Sequence, residues 1–160
     1  MHPSNNWYQL IRQFEGLVLT AYRDKAGFWT IGYGCTYYEN GKPVTIGDKI
    51  SRARAEQLLA AIVKGFAGHV NKLLTVKLNQ NQFDALVSFA YNVGLDIDAD
   101  TIAEGLGDST LLKLVNKNPS DPLIRVEFNK WNKATVNGKK VVLPELVARR
   151  KMEADLYFKR

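Results

Sequence analysis

The sequence predicts an α+β fold, a small antiparallel sheet near the front followed by a larger set of helices. Three observations carry this reading. Trp7, Leu10, Ile11 and Phe14 fall at i, i+3, i+4 and i+7, one face of a short amphipathic helix. Between Leu17 and Thr36 the pattern changes to strand-forming residues, Thr20, Tyr22, Trp29, Thr30, Ile31 and Tyr33. After Ser51 the helical period returns, with Ala55, Leu58, Leu59, Ile62, Val63 and Phe66 in one stripe.

Taken in order, Ser4 is the expected N-cap of the first helix and Gly16 its stop. Asp24-Lys25-Ala26-Gly27 reads as the tight turn of a hairpin. Asn40-Gly41 and Pro43 suggest a second turn, with Val44-Thr45-Ile46 as a third short strand. A long helix is expected over 52–74. Asn79 with Gln82 resembles a capping box ahead of Phe83, Leu86, Val87, Ala90 and Tyr91, which end at Gly94. Residues 95–108 read as a loop with one helical turn. Asp108 or Ser109 caps a short helix through Val115, Asp121-Pro122 opens another, and Pro144 opens the last. Val136-Asn137-Gly138-Lys139 is expected to be a turn.

Composition narrows the function classes. A chain of 160 residues with 46% hydrophobic and 24% charged residues can bury one core. No stretch is long and uncharged enough to span a bilayer, and Gln9, Arg12, Gln13 and Glu15 interrupt the first apolar run, so neither an anchor nor a signal peptide is expected. Cys35 is the only cysteine, and His2 and His69 are the only imidazoles, so no metal site is expected. Residues 125–160 hold ten Lys or Arg against four Asp or Glu, whereas 1–124 hold twelve of each. This basic segment suits an anionic polymer: nucleic acid, acidic lipid or the bacterial envelope.

Two carboxylates stand out. Glu15 closes the first helix, where the partial negative charge of the helix end disfavours an anion, and Asp24 sits in the polar hairpin turn. Thr30 lies on the returning strand. Glycoside hydrolysis needs one carboxyl that donates a proton to the leaving oxygen and another group that handles water or positive charge. Spacing alone leaves open an ordinary helix stop and an ordinary turn.

Phe14-Glu15-Gly16-Leu17, Ala21-Tyr22-Arg23-Asp24, Gly27-Phe28-Trp29-Thr30-Ile31-Gly32-Tyr33-Gly34 and Thr36 resemble the N-terminal signature of the phage-type lysozymes, glycoside hydrolase family 24. Asn81 to Gly94 resembles that family's central helix, Ser109-Thr110-Leu111-Leu112 its next one, and Trp131, Leu143-Pro144 and Leu146 to Arg150 its closing segment. The resemblance implies a single lysozyme-like domain over 1–160: a sheet lobe over 15–50, a helical lobe from 1–14 and 75–160, and a connecting helix over 52–74, with glycan in the cleft. It implies a muramidase that cuts the β-1,4 bond between N-acetylmuramic acid and N-acetylglucosamine without a cofactor. In these terms Glu15 is the proton donor and Asp24 and Thr30 hold the attacking water. Tyr33 and Asn92 line the substrate site, and Arg149 or Arg150 supplies an orienting charge.

The expected partners are peptidoglycan strands and, through the basic segment, the anionic envelope, with no specific nucleic acid and a monomeric protein. The expected location is the host cytoplasm, with release by a separate permeabilising protein. Cys35 departs from the usual His after Gly-Tyr-Gly and is read as structural, and Glu145 stands where a Gly is usual. Two rivals remain: a non-catalytic module on the same fold, and a membrane or nucleic-acid binder using the basic segment.

Overall fold

The computed structural model describes residues 1–98 and 104–159. Its chain groups into two compact units, Ser4–Gly65 with His2, and Phe66–Arg160 with Met1 and Pro3. The sequence places residues 1–14 with the helical lobe; by its contacts the first helix groups with the hairpin.

In the first unit, α1 runs Asn5–Glu15. The Ser4 hydroxyl accepts from the Asn6 N–H at 3.1 Å, and Gly16, at φ 65°, ends the helix in a region that favours glycine. Trp7, Leu10 and Ile11 are its buried face. Strands β1 (Val18–Arg23) and β2 (Trp29–Gly32) pair antiparallel, Tyr22 opposite Thr30 and Arg23 opposite Trp29, with an irregularity between Val18 and Tyr22. Helix α2 (Arg52–Leu73) follows, and the division between units falls inside it.

The third strand expected at Val44-Thr45-Ile46 does not form. Pro43 has no N–H to give, and the Thr45 N–H donates to the Asp48 carboxylate at 2.9 Å instead of to a neighbouring strand. Only isolated bridges remain around it, Tyr37 with Pro43 and Thr20 with Lys49.

One ionic cluster ties these elements together. Arg12 on α1 makes a two-pronged contact with Glu56 on α2, at 3.2 and 2.7 Å, and the Tyr33 hydroxyl donates to the same carboxylate at 2.6 Å. The Arg12 guanidinium first, and then the tyrosine hydrogen bond, hold the Glu56 carboxyl below the usual range.

In the second unit, α3 (Gln80–Val93) begins with the expected capping box between Asn79 and Gln82. Its residues Phe83 to Ala90 are all buried, and α3 packs on α6 (Pro144–Tyr157). Helices α4 (Thr110–Lys117) and α5 (Leu123–Lys130) complete the helical set. Part of the helical turn expected within 95–108 lies outside the described residues, as does Asp100.

A second hairpin corrects the expectation that strands collect at the front. Strands β3 (Lys133–Val136) and β4 (Lys139–Val142) pair in register across a turn in which Asn137 and Gly138 both have positive φ, 49° and 76°. Positive φ at both central positions is what a tight two-residue hairpin requires.

The buried polar groups of this unit converge on Glu153. Its carboxylate accepts from Ser88 Oγ at 2.7 Å and Arg149 Nε at 3.2 Å, and Arg150 Nε lies 3.0 Å from its other oxygen. Arg150 is wholly buried, with its guanidinium 5.0 Å from the centre of the Phe89 ring. Burial pushes the Glu153 carboxyl up, against the opposing pull of Arg150 and Arg149.

Removing the carboxylate takes from two buried guanidiniums the one anion that both of them face. Glu153→Ala is expected to cost about 3–5 kcal/mol in urea unfolding, and a loss below about 1 kcal/mol would mean that water reaches the two guanidiniums. The Glu56 cluster sets an acid limit. Because its folded carboxyl is held down, its contribution is complete above the ordinary value of 4.5 and is lost as pH falls through the lowered one. Thermal melts between pH 6 and pH 3, as rough bounds of that window, should show a shallower acid decline for Glu56→Gln, with about 0.5 kcal/mol lost at neutral pH for this partly exposed pair.

Candidate active site

Glu15 is the last residue of α1, one position past the amphipathic stripe that docks the helix. Its carboxylate lies over the backbone of Gly34, just beyond β2. A Cβ added at Gly34 would stand 2.8 Å from Glu15 Oε2 and 3.3 Å from its Cδ, and the backbone there has φ 79°. The left-handed backbone favours glycine in its own right, and an added Cβ would push the Glu15 carboxylate aside.

Asp24 follows β1 and is held by the turn that it opens. Its Oδ1 accepts the N–H groups of Ala26 and Phe28, each at 2.9 Å, while its own N–H donates to the Phe28 carbonyl. Two donors on one oxygen fix the carboxylate's orientation and aim Oδ2 toward β2. There it lies 3.4 Å from Thr30 Oγ1. The Thr30 hydroxyl has a shorter contact, 3.0 Å to the Phe28 carbonyl, and this is the better acceptor for its single proton. The hydroxyl oxygen then keeps its lone pairs beside Asp24 Oδ2, an arrangement able to hold a water between them. Thr30 itself is 3% exposed, so its side chain is packed in one position.

The other expected residues fall in two places. Tyr33 is also only 3% exposed, with its hydroxyl on Glu56 as described above. Asn92 is exposed near the end of α3, and its Oδ1 accepts from Arg150 Nη2 at 2.7 Å. This bond ties the oxygen of the exposed side chain to the buried arginine. Arg149 also donates weakly to the Ser88 carbonyl at 3.4 Å. Both arginines are buried, so they are not solvated helix charges.

The sequence reading missed Gly34, Arg12 and Glu56. Gly-Tyr-Gly after a strand did carry a signal for Gly34, since such glycines mark close backbone approach. Nothing in the sequence links Arg12 to Glu56, which lie 44 positions apart. Cys35 is buried, and its backbone exchanges both hydrogen bonds with Ile31, as a structural residue would. The carboxylates of Asp96, Asp98 and Asp108 lie within 4.8 Å of one another. Asp96 Oδ2 there accepts the backbone N–H groups of Glu104, Gly105 and Asp108 and so closes its own loop. Among the described residues, no helix is long and apolar enough to cross a membrane.

Comparison with known proteins shows the family. The chain is 39% identical over 157 residues to the endolysin of Acyrthosiphon pisum secondary endosymbiont phage 1, covering 98% of each chain. Among solved structures it is similar to an endolysin from Escherichia coli O157:H7 phage FAHEc1, with TM-score 0.87 and 44% identity over 99% of this chain and 94% of that one. It is also similar to the muramidase domain of SpmX from Asticaccaulis excentricus, with TM-score 0.82 and 32% identity over the whole of both chains. Residues 12–153 match the family described as Phage lysozyme. Glu15, Asp24 and Thr30 all fall within that span, and the chain belongs to the phage lysozyme family.

Proposed function

We propose that this chain cuts the β-1,4 bond between N-acetylmuramic acid and N-acetylglucosamine, with Glu15 as general acid and Asp24 and Thr30 holding the attacking water. Membership of the phage lysozyme family makes the chain a glycoside hydrolase of bacterial peptidoglycan. The observation that carries the residue assignment lies within one unit. The Glu15 carboxylate is seated on Gly34, and the paired Asp24 and Thr30 stand on the hairpin that leads to the same glycine. In this reading Glu15 gives its proton to the glycosidic oxygen as the bond breaks. Asp24 Oδ2 and Thr30 Oγ1 orient the water that completes hydrolysis.

Tyr33 supports the site through Glu56 and Arg12, which tie the end of β2 to α1 and α2. Asn92 contacts the glycan, with Arg150 holding its side-chain oxygen and Arg149 helping to hold Glu153 in place. The protein acts as a monomer on the wall after release from the host cytoplasm by a separate permeabilising protein, and its basic C-terminal segment favours the anionic envelope over nucleic acid.

Two substitutions test the assignment. Glu15→Gln should lower hydrolysis of purified sacculi by about 10² to 10⁴ while the circular dichroism melt is unchanged. Full activity in this variant would end the role of Glu15, and a folded wild-type protein with no turnover would favour a binding module. Gly34→Ala should displace the Glu15 carboxylate and reduce turnover about 10- to 100-fold. Its left-handed backbone adds about 1–2 kcal/mol of destabilisation. Wild-type turnover in Gly34→Ala would show that the glycine does not seat the acid.

A further inference from the structure

The hydrolase reading gives tasks to Glu15, Asp24 and Thr30 and leaves Tyr22, two positions before Asp24, without one. Tyr22 stands directly opposite Thr30 in the β1–β2 ladder. Side chains directly opposite in an antiparallel pair leave the same face of the sheet, with Cβ atoms about 5 Å apart. The phenol therefore rises from the face on which Thr30 Oγ1 meets Asp24 Oδ2 at 3.4 Å. Neither of those oxygens accepts from it, because a phenol is much longer than a threonine side chain and carries its hydroxyl past the pair.

Other tyrosines of this unit have structural duties. The Tyr33 hydroxyl donates to Glu56, and the Tyr38 hydroxyl donates to Asp48 at 2.9 Å. Tyr22 differs from both: it is 39% exposed, and its hydroxyl has no hydrogen-bond partner among the described residues. Partial burial of the ring, then the charge of Glu15 and then that of Asp24, pushes the phenol above its ordinary range. Both carboxylates therefore act on one hydroxyl, which stays protonated at neutral pH and able to donate. An apolar ring with a polar tip, open to solvent and flanked by the two carboxylates, suits a sugar, whose ring carbons are apolar and whose hydroxyl and acetamido oxygens accept hydrogen bonds.

We propose that Tyr22 is a further substrate-contacting residue of the cleavage site, its O–H donating to an oxygen of the sugar that lies between Glu15 and Asp24. The proposal rests on the reading in which these two carboxylates cut the glycan. Tyr22 is neither acid nor base in this role, and its proton stays on the phenol throughout. The bond fixes how the ring is turned, so that the glycosidic oxygen faces Glu15 and the anomeric carbon faces the water held by Asp24 and Thr30.

Tyr22→Phe in the full chain keeps the ring and removes only the hydroxyl. On purified sacculi its kcat should fall about three- to tenfold, as for one lost neutral hydrogen bond, with KM within about twofold and an unchanged thermal melt. The loss belongs in kcat because the bond is made to the ring that reacts. The pH–rate profile of the variant should be lowered without moving along the pH axis. Turnover equal to wild type would overturn the proposal. So would a profile displaced along the pH axis at unchanged height, since the phenol would then act on the protonation of Glu15 and not on the sugar. A direct measurement covers the case of a variant that does not fold. In the wild-type chain with isotope-labelled tyrosine rings, titration with the disaccharide of N-acetylglucosamine and N-acetylmuramic acid should shift the Tyr22 resonance, and no shift there would refute the contact. Absence of hydrolysis by folded wild-type protein would remove the cleavage reading and this proposal with it, whereas wild-type turnover in Tyr22→Phe removes the proposal alone.

Discussion

The contact between the Glu15 carboxylate and the bare Cα of Gly34 is the constraint on which the site depends. A helix end and the chain just past a strand meet there so closely that a Cβ at this position would displace the carboxylate. The rest of the first unit serves that meeting. Gly16 stops α1 immediately after the acid, the buried stripe of Trp7, Leu10 and Ile11 fixes the helix in rotation, and the Arg12–Glu56–Tyr33 cluster fixes it against the hairpin and α2. A carboxylate held in this way loses little freedom when a substrate arrives, which is how positioning contributes to catalysis.

The two carboxylates are treated differently by their surroundings. Asp24 accepts two backbone N–H groups on one oxygen and stands beside a hydroxyl on the other, so local hydrogen bonds determine its orientation. Glu15 stands at the end of a helix and beside a glycine of another element. A turn organises its carboxylate from a few adjacent residues, whereas a helix end needs a neighbour supplied by another element. This difference in origin suits the division of labour between a group that orients water and a group that donates a proton.

The second unit handles charge by burial. Ser88, Arg149, Arg150 and Glu153 form a buried polar core in which both cations face the same carboxylate, and Arg150 also reaches the exposed Asn92. Such a core contributes little net stability relative to an apolar one, but it is costly to break piecemeal, so it specifies one packing of α3 on α6. The β3–β4 hairpin is the opposite case. It buries almost nothing, and its lysines remain in water.

The sequence by itself determined what local rules govern. Ser4, Gly16, the Asn79–Gln82 capping box and the Asp24–Gly27 turn are legible because a cap or a tight turn is decided within a few residues by backbone hydrogen bonding. The Asn137-Gly138 turn was legible for the same reason, but its flanking strands were not, because both are exposed and show no alternation of burial to read. Val44-Thr45-Ile46 misled in the other direction, since its strand propensity lost to a carboxylate three residues on. Only the tertiary structure decided that Arg149 and Arg150 are buried, that Glu56 gathers Arg12 and Tyr33, and that Gly34 lies beneath Glu15. Each of these depends on residues distant in the chain coming within a few ångströms, and side-chain type and local spacing carry no information about that approach.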